Sequence, residues 1–149
     1  SYTIKRVFEN VTFTNGVATI STAGSTETFF GSGALSDQPY GFNPRFEDKS
    51  GTNPEELIAG AHGSCFAMAL SFALSDAGYS EGELKVDAAV TLEKDGDGFK
   101  VSQSALTLEA KVSGIDEDKF AEIANGAKQN CPISKLLNAD ITLDYTLSN

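Results

Sequence analysis

Positive charge and sulfur are both scarce in this sequence. Its 149 residues carry 11 Lys and Arg against 21 Asp and Glu, a formal net charge of −10 and a pI near 4.4. Nucleic acid and anionic membrane are therefore poor partners, and acidity of this size speaks mainly for solubility. No uninterrupted apolar run approaches the roughly 18 residues needed to span a bilayer. The opening "SYTIKRVF" has two cations but no apolar signal-peptide core. A cytoplasmic protein is the expectation. There are only two cysteines, Cys65 and Cys131, and one histidine, His62. Two thiols are too few for a structural zinc site of the four-cysteine kind, although His62 adds a third possible ligand. In a reducing compartment both thiols rest reduced. Repeats, low-complexity segments and linkers are also lacking, and the length suits a single domain over residues 1–149.

What is present alternates between strand and helix patterns. "ENVTFTNGVATIST" has two β-prone runs around Asn15-Gly16, a strong hairpin signal, and "SYTIKRVF" reads as a strand before it. From Thr22 to Thr52 the pattern dissolves into Gly, Ser, Pro and Asp, a connection long enough to imply function. A helix then opens at Asn53, with Pro54 at its first position and Glu56 placed as in a capping box. It is expected to run to about Ala77 and stop at Gly78. Its apolar stripe takes Leu57, Ile58, Ala61, Cys65, Met68, Ala69 and Phe72. A helix apolar on most sides is central, or buried against a second subunit. Two long strands follow around "DGDG", then the more polar helix "DEDKFAEIANGAKQN", the short turn "PISKLLN" and a last strand "DITLDYTL". Strands and helices in this order with hairpins argue for an α+β fold.

Elementary chemistry leaves the role of Cys65 open. A cysteine in the middle of an apolar helix is ordinarily a small core residue. It gains little from the helix dipole, which acts at the termini, and needs a cation from elsewhere to become a thiolate. His62, three residues before it, is a neighbour on the same helix, and its ordinary reading is a packed histidine. Cys131 has the better local setting. Pro132 makes it a natural N-cap, where the dipole lowers a thiol pKa, although an inert cysteine at a helix junction fits equally.

Two segments settle the matter by resemblance. "QPYGFNPRFEDKSGTNPEELIAGAHGSCFAMALS" and "NCPISKLLNADITLDYTL" resemble the signature regions of the OsmC/Ohr family, the osmotically inducible and organic-hydroperoxide-resistance proteins. The likeness runs from about Gly33 onward, and the long loop together with His62 favours the OsmC branch. It implies antiparallel sheets with a long central helix, in an intertwined homodimer with shared active sites. It also implies a thiol peroxidase acting on organic hydroperoxides and more slowly on hydrogen peroxide. Cys65 matches the cysteine that attacks the peroxide, and Cys131 the one that closes a disulfide with it. Arg45 matches the arginine that stabilises the thiolate, and Glu55 the glutamate that orients this arginine. A dithiol donor of the lipoyl or thioredoxin kind restores the pair, with no metal or organic cofactor. Phe42, Phe46, Phe66, Met68, Phe72 and His62 are candidates to line an apolar substrate pocket.

Glu55 precedes Cys65 by ten residues, about 15 Å on a straight helix. Either the helix breaks, or Glu55 serves the site of the other subunit. Rival readings are a thiol–disulfide oxidoreductase, a metal-dependent hydrolase, and a stress-induced dimer that binds an apolar ligand or senses redox state without multiple turnover.

Overall fold

The computed structural model describes residues 52–149 throughout, and the backbone of residues 11–14, 17–20, 27–28 and 38–39. Two compact units are present, Ser1–Pro54 and Glu55–Asn149.

In the first unit, strands β1 (Val11–Thr14) and β2 (Val17–Ile20) pair antiparallel, with Thr14 opposite Val17. This is the hairpin expected at Asn15-Gly16. Inside the stretch expected to be irregular, β3 (Glu27–Thr28) and β4 (Gln38–Pro39) form a short antiparallel ladder. Pro39 lacks an N–H, so such a ladder has little room to extend past it. The strand expected in "SYTIKRVF" lies outside the described residues.

The second unit opens with helix α1 (Pro54–Asp76), 23 residues without a break. Pro54 fits the first turn because its missing N–H has no helical partner to lose. The helix ends in a Schellman motif. Gly78 takes φ 96°, its N–H bonds to Ser75 O at 3.0 Å, and the Tyr79 N–H bonds to Leu74 O at 2.8 Å.

A three-stranded sheet follows in the order β5 (Glu83–Asp95), β6 (Gly98–Lys111), β7 (Asp140–Ser148). Strands β5 and β6 form the expected hairpin, with a bulge where the register shifts between Thr91 and Leu92. The α+β class stands, but strand β7 runs parallel to β6, so this sheet is mixed where antiparallel sheets were expected. The reason is the connection. The chain leaves β6, crosses over through α2 (Glu117–Asn130) and α3 (Pro132–Leu136), and re-enters in the same direction.

The core lies on one face of this sheet. Ser104, Leu106, Leu108 and Ala110 alternate inward from β6 and are buried. Phe66, Leu70 and Leu74 reach them from α1, and Phe120, Ala124 and Ala127 from α2. Fully burying side chains such as Phe66, Phe120, Leu106 and Leu108 contributes about 1.5–3 kcal/mol each. The Asp116 carboxylate caps α2 by accepting from the Lys119 N–H at 2.8 Å. Tyr145 of β7 packs edge-on against Phe120, with ring centroids 5.2 Å apart, and donates to Glu117 at 2.8 Å.

The buried stripe of α1 differs from the one expected. His62, Gly63, Phe66, Leu70 and Leu74 face the core, whereas Met68 is 63% and Phe72 70% exposed. The helix is apolar nearly all round, so periodicity does not choose its inner face. On the buried face Gly63 stands over Val86 and Ala88 of β5, where a Cβ would meet both at ordinary contact distance. By length and composition α1 would also cross a bilayer, contrary to expectation. Only one face of it, with His62, Gly63, Phe66, Leu70 and Leu74, is buried.

Candidate active site

The short segment after α2 has a geometry set by Pro132. Proline cannot continue α2, and it suits the first position of a new helix. Cys131 therefore both ends α2 and N-caps α3, with φ −56° and ψ 125°. Its N–H bonds to Ala127 O at 2.9 Å, and its own carbonyl accepts from Lys135 N at 3.1 Å. This corner turns the Cys131 side chain back onto α1, where it meets Cys65. The two sulfurs lie 2.9 Å apart and both cysteines are free thiols. Cys65 is half-buried and Cys131 is fully buried.

The two thiols have different electrostatic settings. Burial pushes Cys65 up, and so do the hydrogen bond and charge of Cys131; the Ile133 N–H offsets this in part. Burial also pushes Cys131 up, but there the opposing influences prevail. The Cys65 thiol, the Ser134 N–H and hydroxyl, and the Ile133 N–H together hold Cys131 below the ordinary thiol value. The amides act as an oriented positive field, since no full capping hydrogen bond to the Cys131 side chain forms. With both thiols protonated, Cys131 donates to Cys65. Among the described residues, then, Cys131 is the more acidic sulfur, the order that its N-cap position suggests.

His62 sits beside this pair without touching either sulfur through a ring nitrogen. Its Nδ1 lies 2.7 Å from Ser104 Oγ and its Nε2 lies 2.8 Å from Ser134 Oγ. The ring is fully buried, and burial lowers its pKa, so it is neutral. Both ring nitrogens are turned to serine hydroxyls rather than to a sulfur.

The other sequence candidates fall as follows. Glu55 stands on the first turn of α1, and the helix is unbroken between it and Cys65, so about 15 Å of helix separates them in one chain. Phe66 is fully buried in the core, and Met68 is exposed. Arg45, Phe42 and Phe46 lie outside the described residues. Ser104 and Ser134 are additions that the sequence reading passed over. Ser104 falls in phase with Leu106 and Leu108 on β6, a polar residue in an inward series. Ser134 lies in the first turn after Cys131. Each carries a signal, but neither shows its partner.

Comparison with known proteins agrees with the fold. The family described as OsmC-like protein matches residues 47–146. The chain is 50% identical over 118 residues to the peroxiredoxin OsmC of Escherichia coli K12, covering 79% of this chain and 82% of that protein. It is 33% identical over 106 residues to the organic hydroperoxide resistance protein OhrB of Bacillus subtilis, covering 68% and 75%. The crystal structure of that OhrB superposes with a TM-score of 0.62 at 26% identity, over 94% of this chain and 98% of the other.

Proposed function

This chain belongs to the OsmC-like protein family, and from that membership we propose that it is a thiol-dependent peroxidase that reduces organic hydroperoxides. The observation that carries the reading is the pair of free thiols with sulfurs 2.9 Å apart, one half-buried and one sealed. The names of its relatives, a peroxiredoxin and an organic hydroperoxide resistance protein, support the same chemistry.

In the proposed cycle the Cys65 thiolate attacks one peroxide oxygen. The O–O bond breaks, the alkoxide takes a proton and leaves as alcohol, and Cys65 becomes a sulfenic acid. The Cys131 thiolate then attacks the Cys65 sulfur. The S–S bond forms, the S–O bond breaks, and hydroxide leaves as water. A dithiol of the lipoyl or thioredoxin kind reduces the disulfide by two exchanges, the first on Cys65 releasing Cys131 as thiolate. No metal or organic cofactor takes part.

Arg45 is the proposed cation that holds Cys65 ionised and stabilises the leaving oxygen, and Glu55 orients it. Because α1 is continuous, Glu55 acts in the site of a second copy, and the working unit is a homodimer. The exposed Met68 and Phe72 on α1 support that arrangement, since a second copy covering them would remove apolar surface from water. Phe42 and Phe46 are proposed to line the substrate entrance in a cytoplasmic enzyme.

The test is steady-state consumption of an alkyl hydroperoxide with a dithiol donor, for wild type and Cys65→Ser. Multiple turnovers that vanish in the variant are expected. Equal slow consumption by both proteins would overturn the peroxidase and leave the sensor or apolar-ligand reading.

A further inference from the structure

His62 links three elements that share no sequence neighbourhood. It stands on α1, Ser104 on β6, and Ser134 on the first turn of the helix that Cys131 caps. His62 and Ser104 are both fully buried. A neutral imidazole carries one N–H and one acceptor nitrogen, so only two arrangements satisfy both contacts. In one, the Ser104 hydroxyl donates to Nδ1 and the Nε2–H donates to Ser134 Oγ. The Ser134 proton is then free to point at Cys131. In the other, Ser134 donates to Nε2 and Nδ1–H donates to Ser104. The Ser134 hydroxyl then has no proton to offer the sulfur, which disfavours a thiolate.

We propose that Ser104, His62 and Ser134 form a hydrogen-bond relay that serves Cys131, with its direction set by the charge on that sulfur. A thiolate at Cys131 selects the Nε2–H tautomer, and the Ser134 hydroxyl donates to the sulfur. In the peroxidase cycle, on which this role rests, the relay acts twice. It stabilises Cys131 as the attacking thiolate when the disulfide forms, and again as the leaving thiolate when the donor dithiol attacks Cys65. Ser134, in the first turn of the helix that Cys131 caps, is the member proposed to reach the reacting sulfur, whereas His62 and Ser104 are positioning residues that orient it. The Ser134 hydroxyl and amide both favour the charged form of Cys131, in keeping with this role.

The relay is tested without peroxide, in protein whose only cysteine is Cys131 (Cys65→Ser). The ultraviolet absorbance of the thiolate, followed against pH, reports ionisation of the buried Cys131 without a reagent having to reach it. Ser134→Ala should shift that profile upward, with about tenfold less thiolate near neutral pH, the scale of one hydrogen bond to a charge. Ser134→Thr keeps the hydroxyl and should restore it. Ser104→Ala, which does not touch the sulfur, should shift it in the same direction by less. Nitrogen-15 signals of the imidazole need no assignment, because His62 is the only histidine. They should move toward the Nε2–H tautomer as Cys131 ionises. An unchanged thiolate absorbance profile in Ser134→Ala, or ring signals indifferent to Cys131 ionisation, would overturn the relay. Failure of peroxide turnover in the wild type would instead remove the enzyme reading and leave these measurements standing.

Discussion

Lowering the pH from 7.5 to 5.5 should weaken the fold through one residue. His62 is fully buried between two neutral hydroxyls, and burial pulls its pKa below the ordinary 6.5. The folded chain resists the proton that the unfolded chain accepts. Stability is therefore complete above pH 6.5 and falls as the pH drops below it. The fall levels off only once the folded form is also protonated. One such group changes stability by at most about 1.36 kcal/mol per pH unit. Between pH 7.5 and 5.5 the upper bound is about 1.4 kcal/mol, reached if the folded ring stays neutral throughout. Urea unfolding at fixed protein concentration, at pH 7.5, 6.5 and 5.5, measures the effect in wild type and His62→Gln. The variant should be less stable at every pH but lose the decline. An equal decline in His62→Gln would show that another group takes up the proton. A flat wild-type profile would show that the folded ring accepts it freely and is not sealed between the two serines.

The packing of α1 and of the β5 start gives further tests. Phe66→Ala should cost about 3–5 kcal/mol in urea unfolding, since the ring is fully buried in the core. A cost under about 1 kcal/mol would mean that the core does not depend on this helix face as described. Two glycines should respond with opposite sign in thermal unfolding. A Cβ on Gly82 would stand 2.7 Å from the Lys111 carbonyl oxygen, so Gly82→Ala should destabilise by about 1–3 kcal/mol. A Cβ on Gly63 would meet Ala88 at 3.6 Å and Val86 at 3.7 Å, ordinary contact, and Gly63→Ala within a helix should gain about 0.5–1 kcal/mol. Shifts of the same sign would refute the close approaches from which they are drawn.

Local punctuation was legible in the sequence wherever one residue type enforces a conformation. Asn15-Gly16 placed a hairpin, Gly78 stopped α1, and Cys131-Pro132 marked a helix junction. The α+β class followed from these alternations. The direction of β7 did not, because it depends on where the α2–α3 crossover delivers the chain, a tertiary outcome. The inner face of α1 was misread for a related reason. With apolar residues on nearly every side, the pattern holds no preferred stripe, and the sheet takes the face that carries His62, Gly63, Phe66 and Leu70. The Cys65–Cys131 encounter was legible only through family resemblance, since 66 positions separate the two in sequence. The relay through Ser104 and Ser134 was not legible at all. A serine at an inward strand position and another in a helix's first turn are each ordinary, and only the fold brings both to one imidazole.

The order of the two thiols bears on what the proposed arginine must accomplish. Two sulfurs in contact share a titration: once one is charged, its charge and hydrogen bond oppose ionisation of the other. Among the described residues the first charge goes to Cys131, and that same charge helps to keep Cys65 protonated. A cation equidistant from both sulfurs would lower both and leave this order intact. For Cys65 to attack a peroxide, the cation must stand closer to Cys65 than to Cys131. The proposed role of Arg45 is therefore discrimination between two sulfurs more than general activation of a thiol. After the attack the demand reverses. Cys65 has become a sulfenic acid, the charge belongs on Cys131, and the amides of α3 with the Ser134 hydroxyl already favour it there. The α3 corner thus suits the second half of the cycle, and the cation supplies what the first half lacks.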